Sequence, residues 1–162
     1  MKISQRSVTP PPSAPSYAAT DGAAYERFLG RWSRRLAGPF ADFARLADHG
    51  RVLDVGCGTG SLALTLAERG APDRVAAIDI AAPYIAFARS RPGPAGIGFA
   101  VGDACHLPYA DGNFGAALAQ LALNFVPDAA PAVREMRRVV APGGVVAGAV
   151  WDFRGGLVFQ RL

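Results

Sequence analysis

Three aspartates stand at the ends of three successive apolar runs: Asp54 in VLDVGCGTG, Asp79 in AAIDIA and Asp103 in FAVGDACHLPYADGNF. If those runs are neighbouring strands, their carboxylates lie along one edge of a sheet. There they can accept hydrogen bonds from the hydroxyl and amino groups of one extended ligand. The first run leads into glycines at 56, 58 and 60, with Cys57 between the first two and a helical stretch after them. Glycine lets a chain turn tightly and lets a ligand approach its backbone. The start of the following helix adds unpaired N–H groups aimed at the same place. Dinucleotide-binding turns space their glycines G-x-G-x-x-G. Here the spacing is G-x-G-x-G, and Asp54 lies two residues before the first glycine. A carboxylate is a poor neighbour for a pyrophosphate and a good one for a ligand carrying an ammonium and a sulfonium.

Asp79 falls 19 residues after Gly60, where a carboxylate at a strand end can accept from both hydroxyls of a ribose. Asp103, at the next strand end, can accept from an adenine amino group. No nucleophile–base constellation accompanies them. His49 and His106 are the only histidines; His49 precedes the first strand, and His106 follows Asp103 in a loop, so both are expected to be structural or exposed. Cys57 and Cys105 have no metal-ligand spacing and form no disulfide framework, so they are expected to be small packing residues, and no metal is expected.

The elements that must position these groups follow from hydrophobic pattern. Apolar runs at Val52–Val55, Val75–Ile80, Ile97–Val101, Phe114–Leu121 and Val145–Trp151 alternate with helical stretches at Ser61–Arg69, Ala82–Ser90 and Asp128–Val140. Strands this apolar, separated by helices, predict a parallel sheet covered on both faces. The fold class is therefore α/β, a Rossmann-like doubly wound sheet of about five parallel strands flanked by helices. In the last helix Val133, Met136, Val139 and Val140 are expected on one face, with Asp128 as N-cap. Pro142-Gly143-Gly144 is then expected to stop the helix and turn the chain into a strand from Val145. Residues 21–48 read as helical through Tyr25, Phe28, Leu29, Trp32, Leu36, Phe40, Phe43 and Leu46, with Gly30, Gly38 and Pro39 breaking them into at least two helices.

The chain of 162 residues suits one ordinary domain. It divides into a Pro/Ser-rich flexible arm over 1–16, an N-terminal helical lid over 17–50 and a ligand-binding domain over 51–162. Lys2 is the only lysine among 17 basic residues, and the arginines are scattered, so a nucleic-acid groove is not expected. No apolar run is long enough to span a membrane, and the N-terminus lacks the apolar centre of a secretory signal. A reducing, cytoplasmic location is the expectation.

Taken together, residues 25–151 resemble the class I S-adenosylmethionine-dependent methyltransferases, in particular the type 11 group that includes ubiquinone and menaquinone biosynthesis methylases. VLDVGCGTG matches their first motif, AIDI their acidic second strand end, GDACHLPYADGNF their G-D-A-x-x-L-P-F-x-D-x-x-F-D, and REMRRVVAPGG their E-x-x-R-V-L-K-P-G-G. YERFLGRWS looks like the helix that folds over the cofactor in close relatives. The resemblance implies that Asp54 and the loop of Gly56, Cys57, Gly58 and Gly60 hold the methionine part of S-adenosylmethionine. It implies that Asp79 binds the ribose, that Ile80 lies against the adenine, and that Asp103 and Ala104 read its edge. Ala119 and Gln120 would offer a carbonyl to the amino group. Tyr25, Arg31 and Trp32 would be lid residues, with Arg31 meeting the carboxylate.

Two departures are local: Gly115 replaces the family's turn acid, and Asn124 stands where a histidine is common. A third is at the end. The resemblance implies seven strands, and this sequence stops after the fifth, with Leu157, Val158, Phe159 and Leu162 resembling the start of a helix. A C-terminally truncated chain is the expectation, with a homo-oligomer or another partner covering the fifth strand. The expected activity is methyl transfer to an unidentified small-molecule acceptor; the catalytic residues are unknown. The alternatives are a truncated, inactive cofactor-binding remnant and, on the glycine loop alone, an NAD-dependent oxidoreductase.

Overall fold

Val52–Val55 (β1), Val75–Asp79 (β2), Gly98–Val101 (β3), Phe114–Gln120 (β4) and Val140–Ala149 (β5) form one five-stranded sheet in the order β3-β2-β1-β4-β5. The structure, a computed structural model, describes residues 21–46, 50–70 and 72–152. The expectations for the arm, for His49 and for the residues from Leu157 onward lie outside the described residues. Every strand pair is parallel. The chain steps outward from β1 through β2 to β3, then returns to the other side of β1 with β4 and β5. A crevice therefore opens between the carboxyl ends of β1 and β4, where such sheets bind ligands. This is the Rossmann-like doubly wound sheet that the strand–helix alternation predicts.

Successive strand residues face opposite layers, as the two-residue period of a strand requires. Val52, Val75, Ala77, Ala116 and Leu118 join one core, under Arg31–Phe43 (α2) and Ser61–Arg69 (α3). Leu53, Val55, Ala76, Ile78, Ala117 and Ala119 join the other, against Met136 and Val139 of Ala129–Val139 (α5). The three inner strands are almost wholly buried, whereas β3 and β5 are half-open edges of the described sheet.

Helix starts follow capping chemistry. The Asp128 side chain accepts from the Ala130 N–H at 3.0 Å to open α5. Asp21 does the same for Ala23 and Ala24 at the start of Gly22–Tyr25 (α1). Ala82–Ser90 (α4) carries Pro83 in its first turn, where the missing N–H costs nothing.

Three expectations are corrected. Gly38 and Pro39 do not break the N-terminal helix: α2 runs through both to Phe43. An interior proline costs roughly 3 kcal/mol, and the burial of Ala37, Phe40 and Ala41 in the core under α2 offsets it. Gly38 also lets the Arg69 guanidinium approach, within 3.1 Å of where a Cβ would stand. On α5, Ala132 rather than Val133 is buried with Met136 and Val139, and Val133 is exposed. Finally, Pro142-Gly143-Gly144 lies inside β5. Val140 already pairs with Phe114, and the register shifts before Ala116 meets Val145. Gly144 permits this because a Cβ there would sit 2.4 Å from the Gly115 carbonyl oxygen.

Candidate functional site

The loop from β1 to α3 is held from beneath by β2. The Gly56 and Cys57 N–H groups both donate to the Ile78 carbonyl, at 2.8 and 3.0 Å, and Gly60 N–H donates to the Cys57 carbonyl at 2.9 Å. Gly56, Gly58 and Gly60 all have positive φ, a backbone that other residues adopt only under strain. At the end of β2, Asp79 Oδ2 accepts from Gly58 N–H and Oδ1 from Ala81 N–H, each at 2.8 Å. Loop and carboxylate are thus one unit. Each Asp79 oxygen still has a lone pair for a further donor. Burial holds the Asp79 carboxyl above its usual range, only partly countered by those two N–H groups.

Asp54 is 1% exposed. Its Oδ2 accepts from Ala63 N–H at 3.0 Å in the first turn of α3, while its Oδ1 has no partner. Burial pushes its carboxyl up to about 7. At the end of β4, Gln120 donates through Nε2 to the Ser33 carbonyl at 2.9 Å, and its Oε1 is likewise unpartnered. Among the described residues these are the two buried side-chain polar atoms without a hydrogen bond. A buried acceptor left so costs on the order of 1–3 kcal/mol, so such atoms in a native cleft call for a ligand donor or water. Both residues line the same cleft, of about 890 Å³.

The cleft is covered by the N-terminal helical segment, in which Glu26–Gly30 forms a π-helical turn between α1 and α2. Tyr25, Leu29 and Ser33 line it, at helical spacing, and the Tyr25 hydroxyl meets Ser33 Oγ at 3.2 Å. Ile80 is a lining residue that is 74% exposed, an apolar shelf past the end of β2. Asp103 and Ala104 line the cleft too, as do Cys57 and Gly58. The Asp103 carboxylate is also a turn cap: Oδ1 accepts from Cys105 N–H at 2.8 Å and Oδ2 lies 3.1 Å from His106 Nδ1, which together hold its carboxyl below the usual range. The His106 side chain is 85% exposed and does not line the cleft.

Four of the expected residues are not brought to the cleft. Arg31 and Trp32, at the start of α2, are exposed and do not line the cleft. The Arg31 guanidinium stacks over the Trp32 ring, 4.9 Å from its centroid, and Trp32 is 40% exposed. Ala119 is buried in the core against α5, because strand alternation turns it away from the crevice that Gln120 faces. Gly60 shapes the start of α3 without lining the cleft.

Sequence reasoning missed the cleft's other wall. Leu121, Ala122, Leu123, Phe125, Val126 and Pro127, between β4 and α5, form an uncharged rim. Leu29 and Ser33, also outside the expected site, carry a signal only in their spacing of four and eight residues from Tyr25. The rim had no such signal, because a non-repetitive segment has no face until the fold provides one.

The loop's tolerance is narrow. A Cβ at Gly56, where φ is +70°, would stand 2.4 Å from the Ala122 Cβ. Gly56→Ala is expected to destabilise the fold by about 2 kcal/mol, from left-handed strain and that overlap. A melting temperature within about 2 °C of the unaltered chain's would refute this.

Comparison with known proteins gives a consistent family. The model of a family described as "Methyltransferase domain" matches residues 53–148. A demethylmenaquinone methyltransferase from Thermus thermophilus is 38% identical over 116 residues, 70% of this chain and 51% of that protein. A fatty-acid O-methyltransferase from Mycolicibacterium smegmatis is 39% identical over 94 residues, 58% of this chain and 34% of that protein. The chain thus spans about half the length, or less, of these curated relatives. Among solved structures, a SAM-dependent methyltransferase from Thermotoga maritima superposes with a TM-score of 0.60 at 26% identity, covering 85% of this chain and 65% of that one. The cyclase SpnF superposes with a TM-score of 0.61 at 34% identity, covering 70% and 43%.

Proposed function

The chain belongs to the methyltransferase-domain family, and from that premise we propose that it binds S-adenosylmethionine in the β1–β4 crevice and transfers the methyl group to an apolar small molecule. One observation supports this above the others: the two buried, unpartnered acceptors, Asp54 Oδ1 and Gln120 Oε1, share a cleft with the glycine loop. An ammonium group brings three donors and a positive charge, the complement of that pair. Asp79 would receive the ribose hydroxyls, Asp103 the adenine amino group, and Ile80 the adenine face. A pyrophosphate fits poorly here. Three carboxylates line the cleft, and among the described residues no lysine or arginine does. Nothing favours the nicotinamide alternative.

When bound, the cofactor supplies a methyl carbon activated by its sulfonium and a neutral leaving group. The chain's own task is to orient and to exclude water. Tyr25, Leu29 and Ser33 cover the cleft, and the Leu121–Pro127 rim gives the acceptor an apolar wall. With no histidine among the described residues that line the cleft, the acceptor is expected to be one that ionises, or reacts, without a strong protein base. Relatives named for demethylmenaquinone and for fatty acids support an apolar acceptor. The uncharged rim favours a quinol over an anionic carboxylate.

The N-terminal segment through α2 is read as the lid of the 51–162 domain, and the two free cysteines suit a reducing, cytoplasmic compartment. No helix among the described residues is long and apolar enough to cross a membrane. A partner or second copy pairing along β5 is the matching expectation for the open edge.

Calorimetric titration with S-adenosylmethionine, S-adenosylhomocysteine and NADH tests the cofactor. The first two should saturate and NADH should not. A folded chain that binds neither would identify the inactive remnant instead. With labelled cofactor and a naphthoquinol acceptor, Leu123→Glu should raise the acceptor KM about tenfold, the size expected for a charge set in an apolar pocket wall. Its affinity for S-adenosylhomocysteine should stay within about twofold. An unchanged KM would remove the rim from the acceptor site.

A further inference from the structure

Glu26 sits in the π-helical turn, and its side chain is only 13% exposed. Its Oε1 accepts from the Thr59 hydroxyl at 2.5 Å and lies 3.5 Å from Arg91 Nη1, and its Oε2 takes the Arg34 guanidinium. Arg91, just past α4, donates from the same Nη1 to the Thr59 carbonyl at 2.9 Å. Thr59 lies in the glycine loop, is 1% exposed, and is thus held at both its hydroxyl and its carbonyl. Its neighbour Gly58 is the residue whose N–H binds Asp79. A Cβ at Gly30 would stand 2.5 Å from the Glu26 carboxyl carbon, so a larger residue there would push the carboxylate from this position.

Three separate elements therefore meet at one carboxylate: the helix that covers the cleft, the loop that would hold the cofactor, and the end of α4. None of these residues lies in the motifs that carry the carboxylate constellation, except Thr59 itself. We propose that Glu26 is a positioning residue that latches the covering helix to the glycine loop, so that retention of the cofactor and closure of the cleft are one event. This rests on the S-adenosylmethionine reading above. The latch acts through Thr59 and need not touch the ligand. Removing the carboxylate leaves the buried Thr59 hydroxyl without its acceptor and the Arg91 guanidinium without its counter-charge. The loop and the helix carrying Tyr25, Leu29 and Ser33 then lose their common anchor.

The test is the dissociation rate of S-adenosylhomocysteine from the full chain, with melting temperature and ligand-free amide exchange over residues 56–61 measured alongside. Glu26→Ala is expected to release the ligand about tenfold faster or more, with faster loop exchange even without ligand. Glu26→Gln, which keeps an oxygen for Thr59, should stay within about threefold of the unaltered chain. Glu26→Ala combined with Thr59→Val should be no faster than Glu26→Ala alone, since both remove one contact. Equal release rates in all variants, or fully additive effects, would overturn the proposal and leave Glu26 a stabilising ion pair only. If Glu26→Ala does not fold, Thr59→Val carries the same expectation. If the unaltered chain binds no S-adenosylhomocysteine, the cofactor reading fails. The ligand-free exchange then decides the latch: unchanged exchange in Glu26→Ala overturns it, and faster exchange upholds it.

Discussion

Replacing Asp79 with alanine is expected to lower affinity for both S-adenosylmethionine and S-adenosylhomocysteine several hundredfold or more. Two losses combine. Each hydrogen bond to a charged acceptor is worth roughly 1.5–3 kcal/mol, and the ribose would lose two. The same substitution also frees the Gly58 N–H, which Asp79 holds at 2.8 Å, so the glycine loop loses its tie to β2. Asp79→Asn keeps one oxygen and should fall between alanine and the unaltered chain. Because the effect is equal for cofactor and product, it should appear in calorimetric Kd values and not as a change in kcat alone. An alanine variant that binds within about fivefold of the unaltered chain would remove Asp79 from the site.

The second large effect is of pH, through Asp54. Its carboxyl titrates at about 7 because it is buried, against an unfolded value of 3.8. An ammonium ligand needs the ionised form. Below pH 7 binding must first drive off a proton, so the fall in affinity should steepen to about tenfold per pH unit and reach about fiftyfold between pH 7 and pH 5. Stability of the unliganded chain should run the other way. Between pH 4 and pH 7 the folded state binds a proton that the unfolded state has lost, so stability falls as pH rises through this window. For a fully buried group this amounts to about 4 kcal/mol at most. Asp79, also raised by burial, adds in the same sense. Glu135 has the opposite sign, since the Arg138 guanidinium beside it holds its carboxyl at about 2; its stabilisation is lost as pH falls from about 4.5 through 2, below the Asp54 window. Asp54→Asn should flatten both profiles between pH 5 and 8. Affinity independent of pH in the unaltered chain would show that Asp54 does not face the ammonium.

What the sequence determined by itself was local and periodic. Glycines at 56, 58 and 60 dictate a tight turn because positive φ is costly to other residues. Unbroken apolar runs dictate inner strands, and aspartates at their carboxyl ends follow onto one sheet edge because parallel strands all finish on the same side. Asp54, Asp79 and Asp103 were legible for that reason, and so was the strand–helix alternation. Tertiary structure decided everything that depends on which partner lies opposite. Pro39 remains inside α2 because burial against the sheet outweighs its local penalty. Arg31 and Trp32 are exposed, and Tyr25, Leu29 and Ser33 line the cleft. Ala119 and Gln120 are neighbours in sequence, yet the pleat gives one to the core and the other to the crevice. The partnerless oxygens of Asp54 and Gln120, and the meeting of Glu26 with Thr59 and Arg91, have no sequence signature. Burial and opposition are sums over residues distant in the chain, and only the packed fold performs that sum.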